Sequence, residues 1–316
     1  MTDTLIRPAA LRDILTGILS CLAIISVMYG IPLVGIFAWV LLPLPILFYR
    51  LKTGRKYSGV IMAATIAILG IVTGQPAFNS LYFGFMMVTG FFLGEFIEQH
   101  LSIEKIMIYS GIAVFAVCIL AVMIYAMASG HGPVNFITSY AARYQAVSAK
   151  IFSDSASMYS DMPIDRQALE KAGALFVFVL PAIFINSYMT MAWLNILFIR
   201  KILAKKAIIV KSLENLSHWR APWFLVWGVI GASALMFLPS AAIRIPGINC
   251  LIILMFIYFF QGIAVVSFFF QKKNAPFALR ILIYVLIAIQ PLFMFCVIGC
   301  GLFDNWFNFR KLDTTL

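Results

Sequence analysis

Nine runs of apolar residues divide this 316-residue chain, and they constrain its fold more than any other feature. Most are long enough to cross a hydrocarbon core of about 30 Å as an α-helix that rises about 1.5 Å per residue. The runs cover approximately residues 11–29, 32–49, 58–74, 79–97, 105–128, 172–198, 222–239, 248–270 and 280–303. With 63% hydrophobic and 11% charged residues, most of this surface needs lipid as its solvent. The sequence therefore predicts an all-α fold, a polytopic transmembrane helical bundle of eight or nine membrane helices with an extramembrane amphipathic helical segment.

The lysines and arginines indicate how the bundle is oriented. With a cytoplasmic N-terminus and nine crossings, 16 of the 23 cations fall on the cytoplasmic side, as the positive-inside rule expects. Arg310 and Lys311 do not fit, because nine crossings place them outside and eight place them inside. Either the short third run or the last run, which contains Pro291, would then be half-inserted. We expect a multi-pass protein of the bacterial cytoplasmic (inner) membrane with its N-terminus in the cytoplasm.

The spacing of polar segments predicts three parts. Residues 1–128 form an N-terminal five-helix membrane part, residues 129–171 an extracytoplasmic amphipathic segment, and residues 172–316 a C-terminal membrane part. The C-terminal part contains a basic cytoplasmic loop at 199–221, which is expected to attract anionic lipid or a cytoplasmic protein partner.

The fourth run combines small and acidic residues. Gly90 and Gly94 lie four residues apart, so they permit another helix to approach closely. Glu95 and Glu98 follow near the cytoplasmic end, and charged groups inside a membrane are usually functional. They are a candidate proton or cation site, and the alternative is that both side chains extend to the interface.

Polar residues also interrupt the apolar runs of the C-terminal part. Asn186, Tyr188 and Thr190 follow Pro181 in the sixth run, while Gln261 precedes Gly262 and Gln290 precedes Pro291. Proline frees backbone groups, and polar side chains beside such kinks can line a cavity or join helices. A ligand-binding pocket of Asn186, Tyr188, Thr190, Gln261 and Gln290 is the resulting hypothesis.

Two segments resemble places where a helix leaves the membrane. Arg244 is the only cation of its short loop, and the ending "GLFDNWFNFRK" places Asp304, Trp306 and Arg310 after the last apolar run. Aromatic rings and cations are typical of the headgroup region. We expect these four side chains to contact the interface or lipid headgroups.

Several classes of function have no support in the sequence. The nucleotide-binding, hydrolase and zinc-protease motifs are absent, and the five cysteines lie within apolar runs without metal-ligand spacing. The net charge of +11 comes from short loops between apolar runs, so it does not indicate nucleic acid. We expect no enzyme activity, no cofactor, no metal site and no nucleic-acid partner.

Three stretches carry a family resemblance: "WRAPWFLVWG" at 219–228, "FFQGIAVVSFFFQKK" at 259–273 and "GLFDNWFNFRK" at 301–311. Together they resemble the YybS family of bacterial multi-pass membrane proteins of unknown function. The first six runs are also similar in outline to the S components of energy-coupling-factor vitamin transporters. The stretch "YRLKTGRKYSGVIMAATIAILG" and the glycine-rich fourth run carry that likeness, whereas the three C-terminal runs are additional.

The S-component resemblance implies that the protein binds or transports a small or lipid-like ligand. The alternative is a non-transporting structural or assembly protein that acts through its extracytoplasmic and basic cytoplasmic segments. Membrane lipid is a partner under either hypothesis.

Overall fold

A computed structural model describes residues 8–73, 78–128, isolated positions between 130 and 150, 166–205 and 216–311. Helices account for nearly all of these residues, and no strand occurs within them. The prediction of an all-α helical fold is confirmed. Most of the predicted extracytoplasmic segment, 129–171, and much of the basic loop, 199–221, lie outside the described residues.

The chain forms two compact units. The N-terminal unit comprises Met1–Tyr144 with Tyr188–Glu214, and the C-terminal unit comprises Gln145–Ser187 with Asn215–Leu316. Residues 188–205, which the sequence assigned to the C-terminal membrane part, therefore group with the N-terminal unit.

In the ranges 8–73, 78–128 and 188–205, the N-terminal unit contains six helices and the second half of a seventh. They are α1 (Pro8–Gly30), α2 (Pro32–Leu41), α3 (Pro43–Thr53), α4 (Arg55–Thr73), α5 (Phe78–Glu98), α6 (Ile103–Ala128) and the C-terminal half of α7 (Arg166–Lys205). The second apolar run, expected to be one crossing, is divided between α2 and α3. Pro43 causes this break, because proline has no N–H to donate to the preceding turn.

Glycine permits the close contact between α3 and α5. A Cβ added at Gly90 would overlap the carbonyl oxygen of Pro43, and one added at Gly94 would lie 2.9 Å from the Cβ of Arg50. The prediction that Gly90 and Gly94 admit another helix is confirmed, and that helix is α3.

The C-terminal unit is built around one long helix. Its helices are α8 (Leu225–Leu235), α9 (Ala241–Lys272), α10 (Phe277–Ile289) and α11 (Pro291–Phe307), together with the first half of α7. Helix α8 packs antiparallel to α9, with Gly228 against Leu254 and Gly247 against Leu235. A buried cluster that includes Val226, Val229 and Tyr258 fills this contact.

Helix α11 packs on α9 through a pair of glycines. An added Cβ at Gly262 would overlap the carbonyl oxygen of Val297, and one at Gly301 would overlap that of Tyr258. Because the later residue of α11 meets the earlier residue of α9, the two helices run antiparallel.

Five helices are long and apolar enough to cross a membrane within the described ranges. They are Leu11–Gly30, Arg55–Val72, Ile103–Ala128, Phe176–Lys205 and Ala241–Lys272. The third apolar run is thus a regular helix. The last run is instead bent by 103° between α10 and α11, and counting it as one span gives six. Helix α8, with 11 residues, is shorter than the seventh run suggested. The expected total of eight or nine crossings stays a prediction.

The α9–α11 contact yields a first prediction. Gly301→Ala should destabilise the protein by about 1–3 kcal/mol, because the methyl group must displace a backbone carbonyl. Gly299→Ala is the matched control in the same helix, since nothing lies within 4 Å of its added Cβ. Thermal unfolding of both variants in detergent checks this, and equal melting temperatures would contradict the close contact.

Candidate functional site

A buried ion pair lies at the end of the C-terminal unit. Asp304 is 0% exposed and Arg310 is 3% exposed. The Nη2 and Nε atoms of Arg310 donate to Oδ2 of Asp304 at 2.7 and 3.2 Å. Removing two charges from water is costly unless they are paired with good geometry, so this pair determines how the chain is arranged around it.

A turn after α11 makes the pair possible. Helix α11 ends at Phe307, and Asn308 adopts the left-handed conformation with φ of 42°. Asparagine tolerates this region better than most residues. The chain then reverses, and Nη1 of Arg310 donates to the carbonyl oxygens of Ser217 at 2.8 Å and Trp219 at 2.9 Å.

Gln261 of α9 completes the surroundings of Asp304. Its Nε2 donates to Oδ2 of Asp304 at 3.3 Å and to Oδ1 of Asn305 at 3.3 Å. Its Oε1 accepts from the backbone N–H of Ala221 at 3.1 Å. The amide thus links α11 to the segment before α8. We call Ser217, Trp219, Arg220, Ala221, Gln261, Asp304, Asn305 and Arg310 the polar core.

Arg220 gives the polar core a net positive charge. Its side chain is 27% exposed, and Nη2 donates to the carbonyl oxygen of Asp304 at 3.2 Å and to Oδ1 of Asn308 at 2.8 Å. Two guanidinium groups therefore face one carboxylate. Oδ1 of Asp304 is buried and has no hydrogen-bond partner among the described residues.

The polar core lies between two bands of exposed apolar side chains. Gln261 is 20 residues, about 30 Å, from Ala241 and 11 residues, about 16 Å, from Lys272 along α9. Toward Ala241 the exposed side chains are Trp227, Ile230 and Phe237, and toward Lys272 they are Leu292, Phe293 and Phe295. Large apolar side chains exposed on both sides indicate lipid on both sides. Gln261 therefore lies between two apolar bands, while Ser217 of the polar core donates to Oε1 of Gln271 at 3.1 Å, one residue before Lys272 at the end of α9.

The backbone opposite Gln261 is not helical. One 3₁₀ turn covers Leu216–His218, and α8 begins only at Leu225, after Pro222. Irregular backbone at membrane depth is tolerated where it is buried in protein or lines a cavity, because lipid offers no hydrogen bonds. Ala221 obtains its partner from Gln261. Discontinuous helices of this kind form the binding sites of many transporters.

The predicted ligand-binding residues are divided between the two units, and each is described within its own unit. Nδ2 of Asn186 lies 3.5 Å from the carbonyl oxygen of Ile252, nine residues before Gln261 in α9. Tyr188 and Thr190 belong to the N-terminal unit, where the hydroxyl of Tyr188 bonds that of Ser110 at 2.7 Å. Gln290 is exposed at the bend between α10 and α11. Only Gln261 of the five lies in the polar core.

The residues expected at the headgroups divide into two groups. Arg244 and Trp306 are exposed. Asp304 and Arg310 are buried and pair with each other, which differs from the expectation because the turn at Asn308 directs the arginine inward.

Glu95 and Glu98 form a compensated cluster in the N-terminal unit. Nη2 of Arg50, whose side chain is 1% exposed, donates to Glu95 and, at 2.7 Å, to Oε2 of Glu98. Arg55 also binds Glu95, with Nε 2.8 Å from Oε2. Two guanidinium groups thus face two carboxylates, and Arg50 lies 5.7 Å from the ring centre of Phe91. The pair is part of a salt-bridge network at the α3–α5 contact.

Two asparagines that the sequence did not single out satisfy backbone groups next to prolines. Asn249 accepts from the N–H of Ala182 at 3.0 Å and donates to the carbonyl oxygen of Phe178 at 2.8 Å, so it takes the place of a helical hydrogen bond beside Pro181. Asn195 donates at 2.7 Å to the carbonyl oxygen of Val40, just before the break at Pro43. The one sequence feature that could have identified Asn195 and Asn249 is that each is an amide within an apolar run.

Glu95 should contribute more than Glu98 to the stability of the protein. Glu95 is 12% exposed and meets two arginines, whereas Glu98 is 54% exposed and meets one. Glu95→Gln is expected to destabilise the protein by about 1.5–3 kcal/mol and its matched control Glu98→Gln by about 0–1 kcal/mol. Denaturation of both purified variants measures this, and a larger effect for Glu98→Gln would contradict the network.

Comparison with known proteins gives a family but no solved relative. The family described as "Predicted membrane protein (DUF2232)" matches residues 17–305. The chain is 23% identical over 306 residues to the Uncharacterized protein YybS of Bacillus subtilis (strain 168), covering 93% of this chain and 95% of that protein. No solved structure matches. The expected resemblance to YybS is confirmed, and since the family match extends from Gly17 within α1 to Asn305 of the polar core, the chain belongs to the DUF2232 family of predicted membrane proteins.

Proposed function

We propose that this protein binds a small or lipid-like ligand within the membrane, at the polar core of its C-terminal unit. Binding would serve transport, as the likeness to S components implies. The protein would act in the bacterial cytoplasmic membrane with its N-terminus in the cytoplasm, without a cofactor and without catalysing a reaction.

The observation that carries this proposal is the buried carboxylate of Asp304. Its Oδ2 atom receives donors from Arg310 and Gln261, while Oδ1 receives none within the described residues. A buried acceptor without a donor loses about 1–3 kcal/mol. A ligand that presents an N–H or O–H group would recover this free energy, so the atom favours a binding site over a purely structural ion pair.

The interrupted helix supports the same proposal. The segment Trp219–Phe224 leaves backbone groups that no helix uses, and Arg220 lies within it half-buried. Functional sites in transporters use such breaks because free backbone groups can contact a polar ligand at membrane depth. An ionisable residue in this position is by default a candidate functional group.

The competing function is structural or assembly work through the extracytoplasmic segment and the basic loop. It accounts for the charges of residues 199–221 and requires no ligand. A structural or assembly function does not explain why Oδ1 of Asp304 is buried without a donor, so we prefer ligand binding.

Co-purification tests the proposal. Native mass spectrometry of the full chain, released from detergent micelles, should detect a bound small molecule or lipid in the wild type. Asp304→Asn should lower its occupancy by tenfold or more, since a hydrogen bond to a charged group contributes about 1.5–3 kcal/mol. The matched control is Asp13→Asn, because Asp13 pairs with Lys52 in the N-terminal unit at 2.7 Å.

Two outcomes would contradict ligand binding at Asp304. One is equal occupancy in Asp304→Asn and wild type, and the other is a wild type that carries no small molecule but a stoichiometric protein partner. If Asp304→Asn does not fold, Asn305→Ala replaces it. That variant keeps the ion pair and removes the amide that bridges Gln261 and Tyr258.

A further inference from the structure

The guanidinium of Arg310 is surrounded by hydrogen-bond acceptors. It meets Oδ2 of Asp304 and the carbonyl oxygens of Ser217 and Trp219. The guanidinium is buried between one carboxylate and two backbone carbonyls. We call these three groups the acceptor cage.

One oxygen of the acceptor cage accepts no hydrogen bond. Arg310 uses only Oδ2 of Asp304, and the buried Oδ1 has no hydrogen-bond partner in the described part of the chain. A carboxylate oxygen is satisfied by a donor and attracts cations. Because Arg220 and Arg310 already face this carboxylate, a cationic ligand keeps the charge unchanged only if it takes the place of one of them.

Backbone strain accompanies the arginine that fills the cage. Asn308 and Lys311, on either side of Phe309 and Arg310, have φ of 42° and 52°. A left-handed conformation is uncommon for a lysine and persists where surrounding contacts impose it. Asn308 is the C-cap of α11 and the N–H of Lys311 donates to the carbonyl oxygen of Asn308 at 2.8 Å, so both angles belong to the turn that places Arg310 beside Asp304.

We propose that Arg310 is an internal occupant of a cation site, and that the ligand of the polar core is a cation with N–H donors, of the guanidinium or ammonium class. This inference rests on the proposed function, because it identifies the chemical class of that ligand. The ligand binds Asp304 through Oδ1 and competes with Arg310 for the carbonyl oxygens of Ser217 and Trp219. The turn 308–311 then acts as a tethered competitor that leaves the cage when the ligand binds.

Chemical rescue of an arginine variant tests the cage. Arg310→Ala leaves the buried carboxylate with only the more distant Arg220, whose Nε lies 3.7 Å from Oδ2, and we expect its melting temperature to fall by roughly 5–10 °C. Methylguanidinium chloride at low millimolar concentration should restore at least half of that loss. Sodium chloride at equal ionic strength should not.

Arg280→Ala is the matched control. Arg280 belongs to the same unit and donates to the carbonyl oxygens of Ala275 at 2.8 Å and Phe270 at 3.4 Å, without a carboxylate. Methylguanidinium should raise its melting temperature no more than that of the wild type. If Arg310→Ala does not fold, Arg310→Lys provides the same comparison, because its ammonium keeps the charge but not the fork of donors.

The outcomes separate this inference from the proposed function. Equal effects of methylguanidinium on the Arg310 and Arg280 variants would overturn the cation site. So would a co-purified ligand that depends on Asp304 but is anionic, although ligand binding at the polar core would then stand. Selective rescue, with a cationic ligand lost in Asp304→Asn, supports both.

Discussion

The fold depends on satisfying backbone groups that prolines expose in an environment without water. A proline inside a membrane helix leaves a carbonyl without its donor, and lipid cannot replace the missing partner. Near three prolines in the described part of the chain, an amide side chain from another helix binds backbone groups: a carbonyl oxygen before Pro43, an N–H and a carbonyl oxygen beside Pro181, and the N–H before Pro222. The three amides are Asn195 at Val40, Asn249 at Phe178 and Ala182, and Gln261 at Ala221. Each amide also fixes the register between two helices, because it reaches only one turn of its neighbour. The breaks are thus points where helices are joined.

Glycines determine where two helices come close enough for polar side chains of one to bind those of the other. Gly262 follows Gln261 directly and lets α11 approach α9 until backbone atoms touch. Only at this separation does the short side chain of Asp304 reach the amide of Gln261. The same relation holds in the N-terminal unit, where Gly94 contacts the stem of Arg50 and Glu95 binds its guanidinium. In both units a small residue and a charged or amide residue are neighbours in sequence, since close packing and polar contact occur at one crossing.

Local patterns in the sequence were sufficient for the elements but not for the site. Apolar runs predicted the helices, and the spacing of Gly90 and Gly94 predicted a close helix contact. Both signals are local, because each involves residues within a few turns of one helix. The contacts of the polar core join residues far apart, such as Gln261 with Asp304 and Arg310 with Ser217, 43 and 93 positions away. Hydropathy cannot pair such residues, so the sequence singled out Gln261 but not the partners that it has in the polar core.

The ending of the chain shows why its charges were interpreted as headgroup contacts. Aromatic residues followed by cations form the usual boundary of a membrane helix, where lysine and arginine extend toward water. Here Trp306 and Phe307 are exposed while Asp304 and Arg310 are buried, so the polar side of the segment faces protein and the aromatic side faces outward. The difference arises from one backbone angle, the positive φ of Asn308, which reverses the chain and returns Arg310 to the carboxylate six residues before it. An arginine placed in this way is held by protein groups instead of by lipid, and the cationic ligand proposed above would compete with it for those groups.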